Sequence, residues 1–146
     1  MVVRSRGRQK PRGTGQQRVR LVKVLVDREP GSRVRTSVEL SYAGRSHVAT
    51  TEGTGTETME IRLAALATLD ALTAVTDTAP FALVGIKQLR AFDAEVVLVA
   101  LRDPAEEGSR YIGAVAVRTT LVAAAAAAVL DATNRVVFRR DRTSGS

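Results

Sequence analysis

The residues able to do chemistry are few and scattered. His47 is the one histidine and there is no cysteine, which excludes thiol catalysis, disulfides and Cys-ligated metal. His47 falls in a strand-like stretch with no second imidazole or thiol to share a metal or a proton. Ser41, Ser46 and Ser109 have no base at a spacing that would activate them. What remains is Gly53-Thr54-Gly55-Thr56-Glu57-Thr58, a glycine-bearing stretch ahead of a helical pattern. Backbone N–H groups exposed at a helix N-terminus suit a carboxylate or another small anion. The stretch lacks the third glycine and the lysine of phosphate-binding loops, and it would serve equally as a plain strand-to-helix connection. No catalytic constellation, cofactor or metal is implied, and the expectation is a protein that is not an enzyme.

The elements around that stretch follow from periodicity. Val19 to Val26 is an apolar, β-branched run that stops at Pro30-Gly31. Val34, Thr36, Val38, Leu40 and Tyr42 alternate with Arg35, Ser37, Glu39 and Ser41, the period of a half-buried strand. Ala43-Gly44 is a tight-turn signal, and residues 45–51 make a third strand and a hairpin. The glycine stretch then leads into a helix on which Ile61, Leu63, Ala65, Leu66, Leu69, Leu72 and Val75 form an apolar face. Thr56 or Thr58 can cap it, and Glu57 and Glu60 suit the positive end of its dipole.

The same order then recurs. Strand-like segments cover 81–89 and 94–101, a polar turn carries Pro104 and Gly108, and Tyr111, Gly113, Val115 and Val117 fall in phase. Thr119 and Thr120 can cap a second helix that runs through six consecutive alanines. Ala-x-Leu-Asp-Ala recurs from Ala67 to Ala128, an offset of 61 positions, and Leu21-Val22 corresponds to Leu83-Val84. A repeat of this period sets the architecture. The expected fold is α+β, two pseudo-symmetric β-β-β-α units over residues 19–138, packed around a shared core because neither can cover its sheet alone.

Charge divides the chain differently. The net charge is +7, and Arg4, Arg6, Arg8, Lys10, Arg12, Arg18 and Arg20 account for all of it. A neutral body therefore follows a basic arm, residues 1–18, whose Gly, Gln and Pro content predicts disorder. A polar tail is expected at 139–146. Arg4, Arg6, Arg8, Lys10 and Arg12 could contact nucleic-acid phosphates without reading sequence, although no aromatic residue is present there for base stacking. No apolar run reaches the ~18 residues of a membrane span and no secretory segment is evident, so the expected location is the cytoplasm.

Gly53-Thr54-Gly55-Thr56-Glu57-Thr58-Met59 at the start of the first helix and Ala128-Val129-Leu130-Asp131-Ala132-Thr133-Asn134-Arg135 in the second carry a resemblance. With the duplicated β-β-β-α plan, they make the chain similar to the C-terminal regulatory domain of 2-isopropylmalate synthase and of the related citramalate and homocitrate-type synthases. The family reads Gly-x-Gly-Pro-x-Asp-Ala in the first motif; its proline and aspartate fall here on Thr56 and Thr58, and Glu57 or Glu60 could supply a displaced carboxylate. The corresponding aspartate of the second unit falls on Thr120. The resemblance implies a small amino-acid effector such as leucine, bound near the starts of the two helices at Gly53, Gly55, Thr56, Glu57, Thr58, Thr119 and Thr120. It also implies a homodimer and allosteric feedback to a partner enzyme of leucine biosynthesis, because the given chain has no room for a catalytic barrel of ~250 residues.

Overall fold

The computed structural model describes residues 18–78 and 80–144, with side-chain surroundings through Asn134. The first unit runs β1 (Arg20–Glu29), β2 (Arg33–Tyr42), β3 (Arg45–Thr54) and α1 (Glu57–Thr76). The second runs β4 (Ala82–Ala91), β5 (Ala94–Arg102), β6 (Tyr111–Ala116) and α2 (Leu121–Ser144). Each unit is an antiparallel three-stranded meander followed by its helix. The fold is therefore α+β, built from two β-β-β-α units.

The repeat extends to an irregularity. β1 and β2 slip register between Leu21 and Lys23, and β4 and β5 slip between Leu83 and Gly85. The extra residue is Val22 in one unit and Val84 in the other, both turned to solvent. A bulge adds a residue to one strand and flips the phase beyond it. This explains why β1 reads as a continuous apolar run, while bulge-free β2 alternates.

α1 packs on β2 and β3, α2 packs on β5 and β6, and the two helices pack on each other. Each helix also touches the first strand of the other unit. The helices thus form a middle layer between two sheets, and each sheet turns one face outward. A helix covered on several sides needs apolar residues all round. α1 buries eleven of its residues and leaves Arg62 and Asp70 outward. One core cluster spans both units, with Val38, Leu40, Leu72, Val97, Val99, Leu101 and Val129 at 0–1% exposure.

The alanines let this layer be thin. Ala64, Ala65, Ala67 and Ala71 of α1 and Ala124, Ala125, Ala128 and Ala132 of α2 are all buried. At Gly113 the β6 backbone lies directly on α2, so a Cβ there would overlap the Ala128 carbonyl oxygen and stand 2.8 Å from the Ala132 nitrogen. The glycine is required by close approach of strand and helix.

Two boundaries and the burial of one residue differ from the sequence expectation. β3 continues through Gly53 and Thr54, so Gly55 and Thr56 alone link it to α1. The β2 partners Val34 and Arg33 extend far enough to pair with these two residues, which stretches the strand past the expected end at 51. α2 runs to Ser144, so residues 139–144 are helical backbone and not a separate tail; arginine is a good helix former and suits a helix C-terminus. Leu66, expected on the buried face, is half-buried.

Candidate functional site

Both helices start as their residue types dictate. Thr56 is the N-cap of α1: its side chain accepts the Met59 N–H at 3.1 Å and its carbonyl accepts the Glu60 N–H at 2.8 Å. Thr120 does the same for α2, accepting from Ala123 on its hydroxyl and Ala124 on its carbonyl, both at 3.1 Å. The glycines have another task. The Gly55 N–H donates to the Ser32 carbonyl at 2.6 Å, and a Cβ on Gly55 would stand 2.6 Å from Val34 Cγ2. A Cβ on Gly53 would meet the Leu63 methyls at 3.2 Å. Both glycines answer a packing requirement, and the Gly55 N–H is not available to a ligand carboxylate as the sequence had suggested.

A cleft of about 360 Å³ opens where the two helices begin. Val24, Val26 and Arg28 of β1 form one wall, Glu57, Glu60 and Ile61 of α1 another, and Thr120, Leu121 and Val122 at the start of α2 the third. The period-two spacing of Val24, Val26 and Arg28 puts them on one face of β1. Arg28 Nη2 meets Glu60 Oε1 at 2.9 Å; the arginine side chain is 68% exposed and the carboxylate 11%. Geometry leaves the first N–H groups of each helix without an intrahelical acceptor. The cleft therefore combines an apolar wall, two carboxylates, a guanidinium and two helix N-termini.

Of the residues assigned from sequence, Glu57 and Thr120 line this cleft together with Glu60. Gly53, Gly55, Thr56, Thr58 and Thr119 are not among its lining residues. Thr58 and Thr119 are exposed, and Thr56 is occupied as a cap. Sequence reasoning missed Arg28 and the β1 valines. The signal was their alternation, obscured by the bulge at Val22. Arg4, Arg6, Arg8, Lys10 and Arg12 lie outside the described residues.

Other polar residues have structural work. The Asn134 side chain accepts the Val19 N–H at 2.9 Å and donates to the Val19 carbonyl at 3.4 Å, clasping the strand entry of the first unit from the second helix. Asp131 is exposed, yet its carboxylate accepts the Ala114 N–H at 3.0 Å. The Ser109 hydroxyl bonds the Asp103 N–H at 2.8 Å, which closes the β5–β6 loop. His47 is exposed. Among the described residues no group of three His, Asp or Glu side chains could hold a metal ion, and no helix is long and apolar enough to cross a membrane.

The fold and cleft together define a duplicated α+β domain with a small-molecule-sized recess at its paired helix starts. No protein-family model matches the chain, and comparison with curated proteins returns no significant match.

Proposed function

We propose that this domain binds a small amino acid with a branched apolar side chain and acts as a non-catalytic regulatory module of the 2-isopropylmalate-synthase type. The observation that carries the proposal is the convergence of both helix N-termini on one cleft of about 360 Å³ with charges of both signs and an apolar wall. The carboxylate of such a ligand fits the free N–H groups at the start of α2 and the Arg28 guanidinium. Its ammonium fits Glu57, and its side chain fits Val24, Val26, Ile61 and Val122. The Arg28–Glu60 pair lies within reach of both ligand charges, so occupancy would be sensed by β1 and α1 at once. A homodimer that passes this signal to a partner enzyme, in the cytoplasm, completes the reading.

Thermal unfolding of the full chain against a panel of free amino acids and 2-oxo acids tests it. A ligand at 100 times its dissociation constant adds about 2.7 kcal/mol, several degrees in a domain of this size. The expected result is a selective rise with leucine, isoleucine or valine that Glu57→Gln abolishes. A flat panel would overturn the amino-acid reading.

A further inference from the structure

The two sheets present different outer faces at matching positions. On the first, Arg35 of β2 pairs with Glu29 of β1 at 3.3 Å and with Glu52 of β3 at 3.0 Å. In the second unit the strand registers place Ala91, Val96 and Ala116 at these three positions. An ion network on one sheet is apolar on the other. Three cross-strand rows cross that second face, Gly85–Ala100–Ile112, Lys87–Leu98–Ala114 and Leu89–Val96–Ala116, and Lys87 is the one charged residue in them. On the first sheet the matching rows are Lys23–Glu39–Val48, Leu25–Ser37–Thr50 and Asp27–Arg35–Glu52, polar at every position but Leu25 and Val48, so the fold itself does not require a continuous apolar surface there.

The turn at one end of this face carries a second anomaly. Phe92 joins β4 to β5 with its ring fully exposed, 103%, and its backbone at φ 53°. The corresponding turn of the first unit places Gly31 there at φ 81°. Bulky residues avoid the left-handed region, and a turn of this type favours Asn or Gly.

We propose that the outer face of the second sheet is a self-association surface, which stacks on the same face of a second copy of this chain with Phe92 at its margin. It rests on the dimeric state proposed above and assigns that dimer its interface. The chemistry selects a second copy. Gly85, Ala100, Ala114 and Ala116 keep the face low between its larger Val, Leu and Ile side chains, so two such sheets can interdigitate at the ~10 Å spacing of packed sheets. The two cations of this face lie at its margins, Lys87 on the outer strand β4 and Arg102 at the end of β5, so each can carry its charge to water and the face can meet itself without stranding a buried charge. Phe92 supplies about 200 Å². With Val84 and Ile112 near half exposure and the partly covered centre, the face offers on the order of 500 Å² per copy. Two copies then bury about 1,000 Å², the area at which a specific interface becomes tenable.

Sedimentation equilibrium of the full chain tests the assignment with three variants. Ile112→Glu and Phe92→Asn change the proposed face; asparagine suits the positive φ and leaves the turn intact. Val48→Glu changes the residue of the first sheet that matches Ile112. The expected result is a wild-type dimer that Ile112→Glu and Phe92→Asn each weaken by about tenfold or more, with unchanged far-ultraviolet circular dichroism, while Val48→Glu leaves it intact. A wild-type chain that stays monomeric overturns the face and the dimer together. A dimer indifferent to Ile112→Glu and Phe92→Asn, or broken by Val48→Glu alone, overturns the face and leaves the dimer standing. The amino-acid response of the cleft is read separately by thermal unfolding, so either proposal can fail without the other.

Discussion

Three residues affect stability out of proportion to their size. Asn134 satisfies both backbone groups of Val19 across 115 positions of chain. Asn134→Ala leaves a buried N–H without its acceptor and is expected to cost about 1–3 kcal/mol, measured by urea unfolding, whereas Asn134→Asp keeps that acceptor and should lose less. Gly113→Ala drives a methyl group into the α2 backbone; about 1–3 kcal/mol of destabilisation is expected from overpacking, read as a lower Tm. Thr36 has the opposite sign. Its hydroxyl is fully buried with no hydrogen-bond partner among the described residues, so Thr36→Val exchanges an unsatisfied polar atom for a methyl group of similar size. A gain of about 1 kcal/mol is expected, visible as a Tm raised by a few degrees. The alternation that marked Thr36 as inward-facing was legible in the sequence. That its hydroxyl would find no partner depended on which neighbours the tertiary packing supplied.

The strands were read correctly where one face is buried and the other solvated, because the period of two is then written in residue type. β2 is the clearest case. β1 and β4 were harder, since the bulges at Val22 and Val84 break their phase. The outer ladder of the first sheet has a consequence for pH dependence. The hydrogen bond from Arg35, then that from Arg33, holds the Glu52 carboxyl below its ordinary value. A depressed carboxylate contributes stability that is in place above its unfolded pKa of about 4.3. That contribution is lost as pH falls through the lower folded value. Glu52→Gln is therefore expected to be slightly less stable than wild type near neutral pH and to converge with it at low pH, which makes the acid limb of its unfolding curve shallower. A limb identical to wild type would mean the ladder is fully screened by solvent.

At the scale of the molecule the units are interdependent, because each helix is covered on one side by its own sheet and on another by the other helix. Residues 18–78 alone would expose the face of α1 that packs on α2. This fragment is expected to show no cooperative thermal transition, while the full chain melts as one unit; a cooperative melt of the fragment would refute a shared core. Residue type and spacing by themselves determined the two β-β-β-α units, a threonine cap at each helix start without choosing between Thr56 and Thr58 or Thr119 and Thr120, and the absence of thiol chemistry, since each rests on local propensity or composition. The cleft, the Asn134 clasp, the packing roles of Gly55 and Gly113, and the contrast between the outer sheet faces were decided by tertiary structure alone. They join groups tens of residues apart, and such distances are set by how sheets and helices stack, which local periodicity does not encode.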